Sequence, residues 1–155
     1  MPPGAKTITV SDSVYREERE DRSGPAIIAL LEQHGFDVLE HRLVPDGREP
    51  VATAIRDLAA GFAGAIFTTG GTGFAPTDQT PEGTQAVLER QAPGLAEAMR
   101  AINPLGRLSR GAAGTVGHSI VLNLPGSTAG AVECLEAVID VLPHALDLLA
   151  GGSPH

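Results

Sequence analysis

From Thr68 the chain reads Thr68-Thr69-Gly70-Gly71-Thr72-Gly73, and Asp78 follows five residues later. Three glycines in four positions leave backbone amides uncovered, so an anion can approach within hydrogen-bonding distance. A carboxylate just beyond such a loop suits a cation that travels with phosphate. Mg²⁺ takes one or two carboxylates and fills its remaining positions with phosphate oxygens and water. The loop is not a Walker A motif, because no Gly-Lys-Ser/Thr follows, and it is not a dinucleotide fingerprint. As a local pattern it marks an anion site and names no ligand. The plainer alternatives are a tight strand-to-helix turn, with Asp78 assisting that turn or the helix cap.

Three further polar clusters follow apolar, strand-like runs: Ser11-Asp12-Ser13, Pro45-Asp46-Gly47 and Pro125-Gly126-Ser127. Parallel strands of an open α/β sheet deliver their carboxyl ends to one edge, where ligands bind near a topological switch point. If these strands are parallel, Asp12, Asp46, Asp78 and both glycine turns surround one crevice. Asp46 alone reads equally well as a turn residue, and only its pairing with Asp78 gives it a metal role. Pro125-Gly126-Ser127 opens a helix whose N-terminal amides favour a phosphate, with Ser127 or Thr128 as a plain cap on the simpler reading. Ser109-Arg110-Gly111 offers a guanidinium fork that could reach an anion, although a surface arginine beside a loop is the commoner case. Cys134 is the only cysteine, so it forms no internal disulfide, and its place in an apolar helical stripe makes it a small core residue. The five histidines, His34, His41, His118, His144 and His155, share no metal-binding spacing.

The elements that must carry these residues alternate. Thr7–Val10 reads as a first strand, and Tyr15–Arg22 as a charged loop or helical turn. A helix opens at Ser23-Gly24-Pro25 and is stopped by Gly35. A strand over Phe36–Val44, a helix from Pro50 to Gly61 and a strand into Thr68 follow. Thr80 as N-cap and Pro81 at the first helical position start a helix through Val87 and Leu88. A short helix over 93–101 and an irregular stretch around Pro104 precede a fourth strand, Ser119–Leu124. One last helix runs over 129–149, kinked by Pro143. The pattern predicts a three-layer α/β/α sandwich with a mainly parallel, mixed central sheet.

Composition narrows the function. At 155 residues, with 42% hydrophobic but only 3% aromatic residues, the chain is expected to form a single domain over 1–155 with an aliphatic core. Nineteen acidic against eleven basic residues give a net charge of −8, and Lys6 is the only lysine. That balance argues against a nucleic-acid partner. No segment approaches the length of a membrane span, and no apolar leader region is visible, so a soluble cytoplasmic protein is expected. Any phosphate must be held by amides, hydroxyls, helix N-termini or a few arginines.

Taken together, the motifs resemble the Mog and MoaB family of molybdenum-cofactor biosynthesis proteins, found also as the G domain of gephyrin-type proteins. The resemblance covers nearly the whole chain. It is carried by Val10-Ser11-Asp12, by Asp21-Arg22-Ser23-Gly24-Pro25, by Val44-Pro45-Asp46 and by the segment from Thr68 to Glu82. Ala92–Arg100, Leu108-Ser109-Arg110-Gly111, Asn123–Ser127 and Leu142–Leu146 follow in family order. The resemblance implies the molybdopterin-binding fold and adenylyl transfer from Mg-ATP to molybdopterin, giving adenylylated molybdopterin and pyrophosphate. It implies Asp46 and Asp78 as the essential, metal-holding carboxylates. Gly70, Gly71, Thr72, Gly73, Ser109, Arg110, Gly111, Pro125, Gly126 and Ser127 would hold the pterin and its phosphate, and Ser11, Asp12, Ser13 and the loop after them would lie nearer the nucleotide. It also implies a homotrimer, or a hexamer. Two positions depart from the family pattern. Thr77 stands where the family usually has Arg, which implies either weakened anion binding or compensation by Arg107 or Arg110, and Ser127-Thr128 stands where Ser-Pro or Asn-Pro is frequent. The rival readings are a family member that binds molybdopterin without adenylylating it, and a CinA-like nucleotide-processing domain.

Overall fold

The computed structural model describes residues 1–152; His155 lies outside them. Its six strands are β1 (Gly4–Val10), β2 (Asp37–Val44), β3 (Ala65–Thr69), β4 (Arg90–Gln91), β5 (Ala113–Val116) and β6 (Ser119–Leu124). They form one sheet in the order β2-β1-β3-β6-β5-β4. β2, β1, β3 and β6 are parallel neighbours, whereas β5 runs antiparallel to both β6 and β4. The sheet is therefore mixed, as expected, but two of its strands were not visible in the sequence. β5 is a short piece of a glycine-rich stretch without alternation, and β4 is two exposed polar residues.

The helices are α1 (Asp12–Tyr15), α2 (Ser23–Gln33), α3 (Arg48–Ala59), α4 (Thr80–Gln85), α5 (Pro93–Ala101), α6 (Thr128–Glu136) and α7 (Leu142–Leu149). Alternation along each strand sends neighbours to opposite faces. On β1, β3 and β6, Ala5, Ala65, Phe67, Leu122 and Leu124 face α2, α5, α6 and α7. Ile8, Val10, Ile66 and Val121 face Val51, Ala54, Ile55 and Leu58 of α3. Both faces of the central strands are covered, which is why β3 and β6 are buried along their whole length.

Two expected helices are shorter than their apolar patterns. The last one is not a kinked rod but breaks after Glu136, passes through a tight turn at Ile139–Val141 and restarts as α7 with Pro143 in its first turn. Pro143 lacks an N–H and fits a helix start, not an interior. The apolar period runs through the break because Leu135, Val138, Ile139 and Leu142 all enter the same core. α4 likewise stops at Gln85, and Val87 and Leu88 pack from the following turn. Thr80 is not its cap: Gln79 holds that place, and the buried Thr80 hydroxyl donates instead to the Gly70 carbonyl at 2.9 Å.

One polar group lies deep between the strands. Asn123 on β6 donates through Nδ2 to Thr68 Oγ1 on β3 (2.9 Å) and Thr84 Oγ1 on α4 (3.0 Å), while its Oδ1 accepts from the Ala112 amide (2.9 Å). Every side-chain capacity that matters for burial is used, as a stable buried network requires. This one side chain ties β3, β6, α4 and the start of β5 together just below the strand ends.

Candidate functional site

The register brings the polar strand ends level. Val10 pairs with Val44, Thr9 with Thr69, and Thr69 with Leu124. The chain after each of these residues therefore emerges at the same sheet edge. The chain passes from β1 to β2 on one side and then crosses back over β1 to β3 on the other, so the switch point lies between β1 and β3. A cavity of about 700 Å³ opens there, lined by Ser11, Asp21, Asp46, Gly70, Gly71, Asp78, Gly126 and Ser127 among others.

Asp12 and Asp46 are locked to each other. The Asp12 amide donates to Asp46 Oδ2 and the Asp46 amide donates to Asp12 Oδ1, each at 3.0 Å. Each carboxylate thus fixes the backbone carrying the other, across the ends of β1 and β2. Burial holds the Asp46 carboxyl above its ordinary pKa despite the Asp12 amide, and the negative charges of Asp12 and Asp78 push it further up. Asp46 and Asp78 are thus two carboxylates on the wall of one cavity.

The glycine loop is held from several sides. Gly70 has φ +106°, its amide donates to the Leu124 carbonyl, and a Cβ there would collide with the Val10 carbonyl. Gly126, in the β6–α6 turn, lies so near that a Cβ would sit 3.3 Å from the Gly70 Cα. The two glycine turns therefore touch. Asp78 accepts from the Ala75 amide (3.1 Å) and its own amide donates to the Ala75 carbonyl (2.9 Å), closing a compact turn. Ser127 caps α6 by accepting from the Gly130 amide (3.2 Å).

The expected site residues fall into three groups. Ser11, Asp46, Gly70, Gly71, Asp78, Gly126 and Ser127 line the large cavity, and Asp12 supports it through Asp46. Ser109, Gly111 and Pro125 instead line a second, apolar cavity of about 240 Å³ with Met99, Leu105 and Cys134; Ser127 lines both. Ser13, Thr72, Gly73 and Arg110 line neither cavity. Ser13 bonds to the Ser11 hydroxyl (3.1 Å), and the Thr72 carbonyl accepts from the Arg110 amide (2.8 Å).

Arg110 was expected as an anion ligand, but its fork is committed to the protein. It donates to the Gly73 carbonyl (2.8 Å), the Asp78 carbonyl (2.7 Å) and Glu82 Oε2 (2.6 Å). It thus braces both ends of the segment carrying the signature aspartate, and in turn lowers the pKa of Glu82. Arg107 donates to Pro104 O and also lines neither cavity. Cys134 behaves as read: half-buried, its thiol donates to the Met99 carbonyl and burial raises its pKa. Arg19, Glu20, Asp21, Arg22 and Ser23 also line the large cavity. Asp21, Arg22 and Ser23 belong to a motif of the resemblance, whereas Arg19 and Glu20 carried no signal beyond a charged run between two elements.

Residues 6–144 match the family model described as a probable molybdopterin binding domain. The chain belongs to that family. It is 35% identical over 151 residues to the molybdopterin adenylyltransferase of Helicobacter pylori, covering 93% of this chain and 86% of that protein. It is 36% identical to the molybdenum cofactor synthesis protein cinnamon of Drosophila melanogaster, of which it spans 25%. Among solved structures, the molybdopterin biosynthesis enzyme MoaB of Thermus thermophilus superposes with a TM-score of 0.91 at 45% identity, with 99% of each chain covered. A CinA protein of Thermoplasma acidophilum reaches a TM-score of 0.70 at 20% identity, which shows a shared fold alone. No helix among the described residues is long and apolar enough to cross a membrane.

Proposed function

We propose that this member of the molybdopterin-binding family adenylylates molybdopterin, transferring AMP from Mg-ATP with release of pyrophosphate. The observation that carries the proposal is the convergence of Asp46, Asp78 and two touching glycine turns on one cavity at the switch point. The terminal phosphate of molybdopterin attacks the α-phosphorus of ATP, one P–O bond forms, and the bond to the β-phosphate oxygen breaks. That transfer needs two phosphates brought into line and charge balanced on the departing pyrophosphate. It needs no protein nucleophile, in keeping with the inert setting of Cys134.

The donor set fits Mg²⁺. Asp46 and Asp78 offer hard oxygen ligands, and the described residues contain no group of three or more His, Cys, Asp or Glu that would form a full protein cage. A two-carboxylate site completed by substrate phosphates is the usual Mg²⁺ arrangement. When bound, the ion supplies charge neutralisation at the pyrophosphate. With the Gly70 amide committed to the Leu124 carbonyl, the Gly71 amide and the N-terminus of α6 receive phosphate oxygens. The apolar cavity walled by Met99, Leu105 and Pro125 takes the flat pterin, and Ser127, shared by both cavities, lies between pterin and nucleotide. The working form is a cytoplasmic homotrimer of this single domain, to be checked by light scattering against the chain mass of 15.9 kDa.

Incubation with molybdopterin and Mg-ATP tests the reaction directly. Pyrophosphate release that requires both substrates is expected. Molybdopterin binding without pyrophosphate release would leave a carrier protein, the reading that Thr77 favours. Release of pyrophosphate with no need for molybdopterin would point to another nucleotide task.

A further inference from the structure

The large cavity is acidic where a nucleotide polyphosphate requires positive charge. Glu20, Asp21, Asp46 and Asp78 bring four carboxylates to its walls, and among the described residues Arg19 and Arg22 are its only cationic side chains. Neighbouring arginines are committed elsewhere: Arg110 to the segment 73–82, Arg107 to Pro104 O, and Arg100 to Gly111 O at 2.8 Å. Arg22 meets only Glu20, at 3.9 Å and with both side chains 80% exposed, a contact that a phosphate displaces readily.

Both arginines sit on the segment joining α1 to α2, whose outer part is exposed but whose inner end is firmly tied. Asp21 Oδ1 accepts from the Gly24 amide (3.0 Å), which also satisfies one free donor of the α2 start. Its Oδ2 accepts from the Thr9 hydroxyl (2.8 Å) and pairs with His41 Nε2 (3.1 Å). His41 Nδ1 in turn bonds to the buried Thr7 hydroxyl (2.5 Å). A Cβ at Gly24 would meet Asp21, Thr9 and His41 together, so the helix start rests directly on this network. The tie point is flanked in sequence by the two cations it serves.

We propose that Arg19 and Arg22 are the polyphosphate-binding cations of the large cavity, positioned by the Asp21–Thr9–His41 network. They supply the positive charge that Thr77 does not. The assignment rests on the nucleotide reading of this cavity. His41 is a positioning residue, acting only through Asp21.

Calorimetric titration of the full chain with Mg-ATP and with AMP tests this. R19A/R22A is expected to raise the Kd for Mg-ATP about two- to thirty-fold, the product of two exposed ion pairs. The loss should be smaller for AMP, which carries fewer phosphate charges, and R19K/R22K should recover most of it. H41L should weaken Mg-ATP binding severalfold, and H41Q, whose amide can donate to Asp21 and accept from Thr7, should restore it. Wild-type protein that fails to bind Mg-ATP overturns the nucleotide reading itself. Wild-type binding with an unchanged Kd in R19A/R22A overturns the arginine assignment alone, and an H41L affinity equal to wild type removes the positioning role of His41.

Discussion

Replacing glycine by alanine at three positions isolates what the glycine loop demands. Gly70 has φ +106°, and an added methyl would strike the Val10 carbonyl, a backbone atom that cannot swing aside. Its cost is the sum of the backbone strain, about 1–3 kcal/mol, and the forced displacement, about 1–3 kcal/mol. We expect about 2–6 kcal/mol, a large share of the roughly 5–15 kcal/mol that holds a domain folded. Gly35, at the end of α2, has φ +81° but nothing within 4 Å of a built Cβ, so Gly35→Ala should cost only the conformational penalty, about 1–2 kcal/mol. Gly94 in α5 has open space and no positive φ, and Gly94→Ala should stabilise by about 0.5–1 kcal/mol. Urea unfolding of the three variants, fitted with a common slope, gives the differences directly. If Gly70→Ala costs no more than Gly35→Ala, the Val10 contact does not confine the loop, and the tight junction of β1 with the phosphate cradle is refuted.

Asp78→Asn should lower turnover by about 100-fold or more while the fold and oligomer persist; an active variant removes the metal role. Asp46→Asn should lose activity to a similar degree yet gain stability at neutral pH. A carboxyl whose folded pKa is raised contributes stability below its unfolded pKa and loses it as pH rises through the folded value, so ionised Asp46 is a burden at neutrality. Melting both proteins at pH 4 and pH 7 without Mg²⁺ checks the sign, since the variant's advantage must grow with pH. Arg110→Lys should cost about 1–3 kcal/mol through the lost donors to Gly73 O and Asp78 O. That gap should narrow on acidification, because a Glu82 pKa held down by Arg110 loses its contribution as pH falls through that lowered value. Asn123→Ala should cost about 2–4 kcal/mol by orphaning the buried Ala112 amide and two threonine hydroxyls, read by urea melts.

What the sequence disclosed follows from how locally each feature is encoded. The four central strands and their turn-rich ends were legible, because β-branched runs closed by Asp, Gly and Pro are short-range signals. Their parallel register then did the assembling, and Asp46 and Asp78 line one cavity. β4 and β5 were hidden because their pairing is specified by partners, not by pattern. The break before α7 was masked because two short helices filling one core share a single apolar period. The bracing role of Arg110 was not legible, because a guanidinium that accompanies a glycine loop looks the same whether it grips a ligand or grips the loop. The loop after Asp12 was expected near the nucleotide, but Arg19 and Arg22 were not singled out within it, because nothing local distinguishes solvated charge from charge facing a cavity.

The reciprocal bonds between Asp12 and Asp46 carry a consequence for how this sequence can vary. Each side chain secures the other's peptide group, so neither position can drift alone: a change at 12 releases the backbone of 46, and the reverse. In a library randomised at both positions and selected for folded protein, survivors should come as matched pairs whose side chains both accept from a backbone amide. Thirty-four residues apart, the two sites amount to one inherited character.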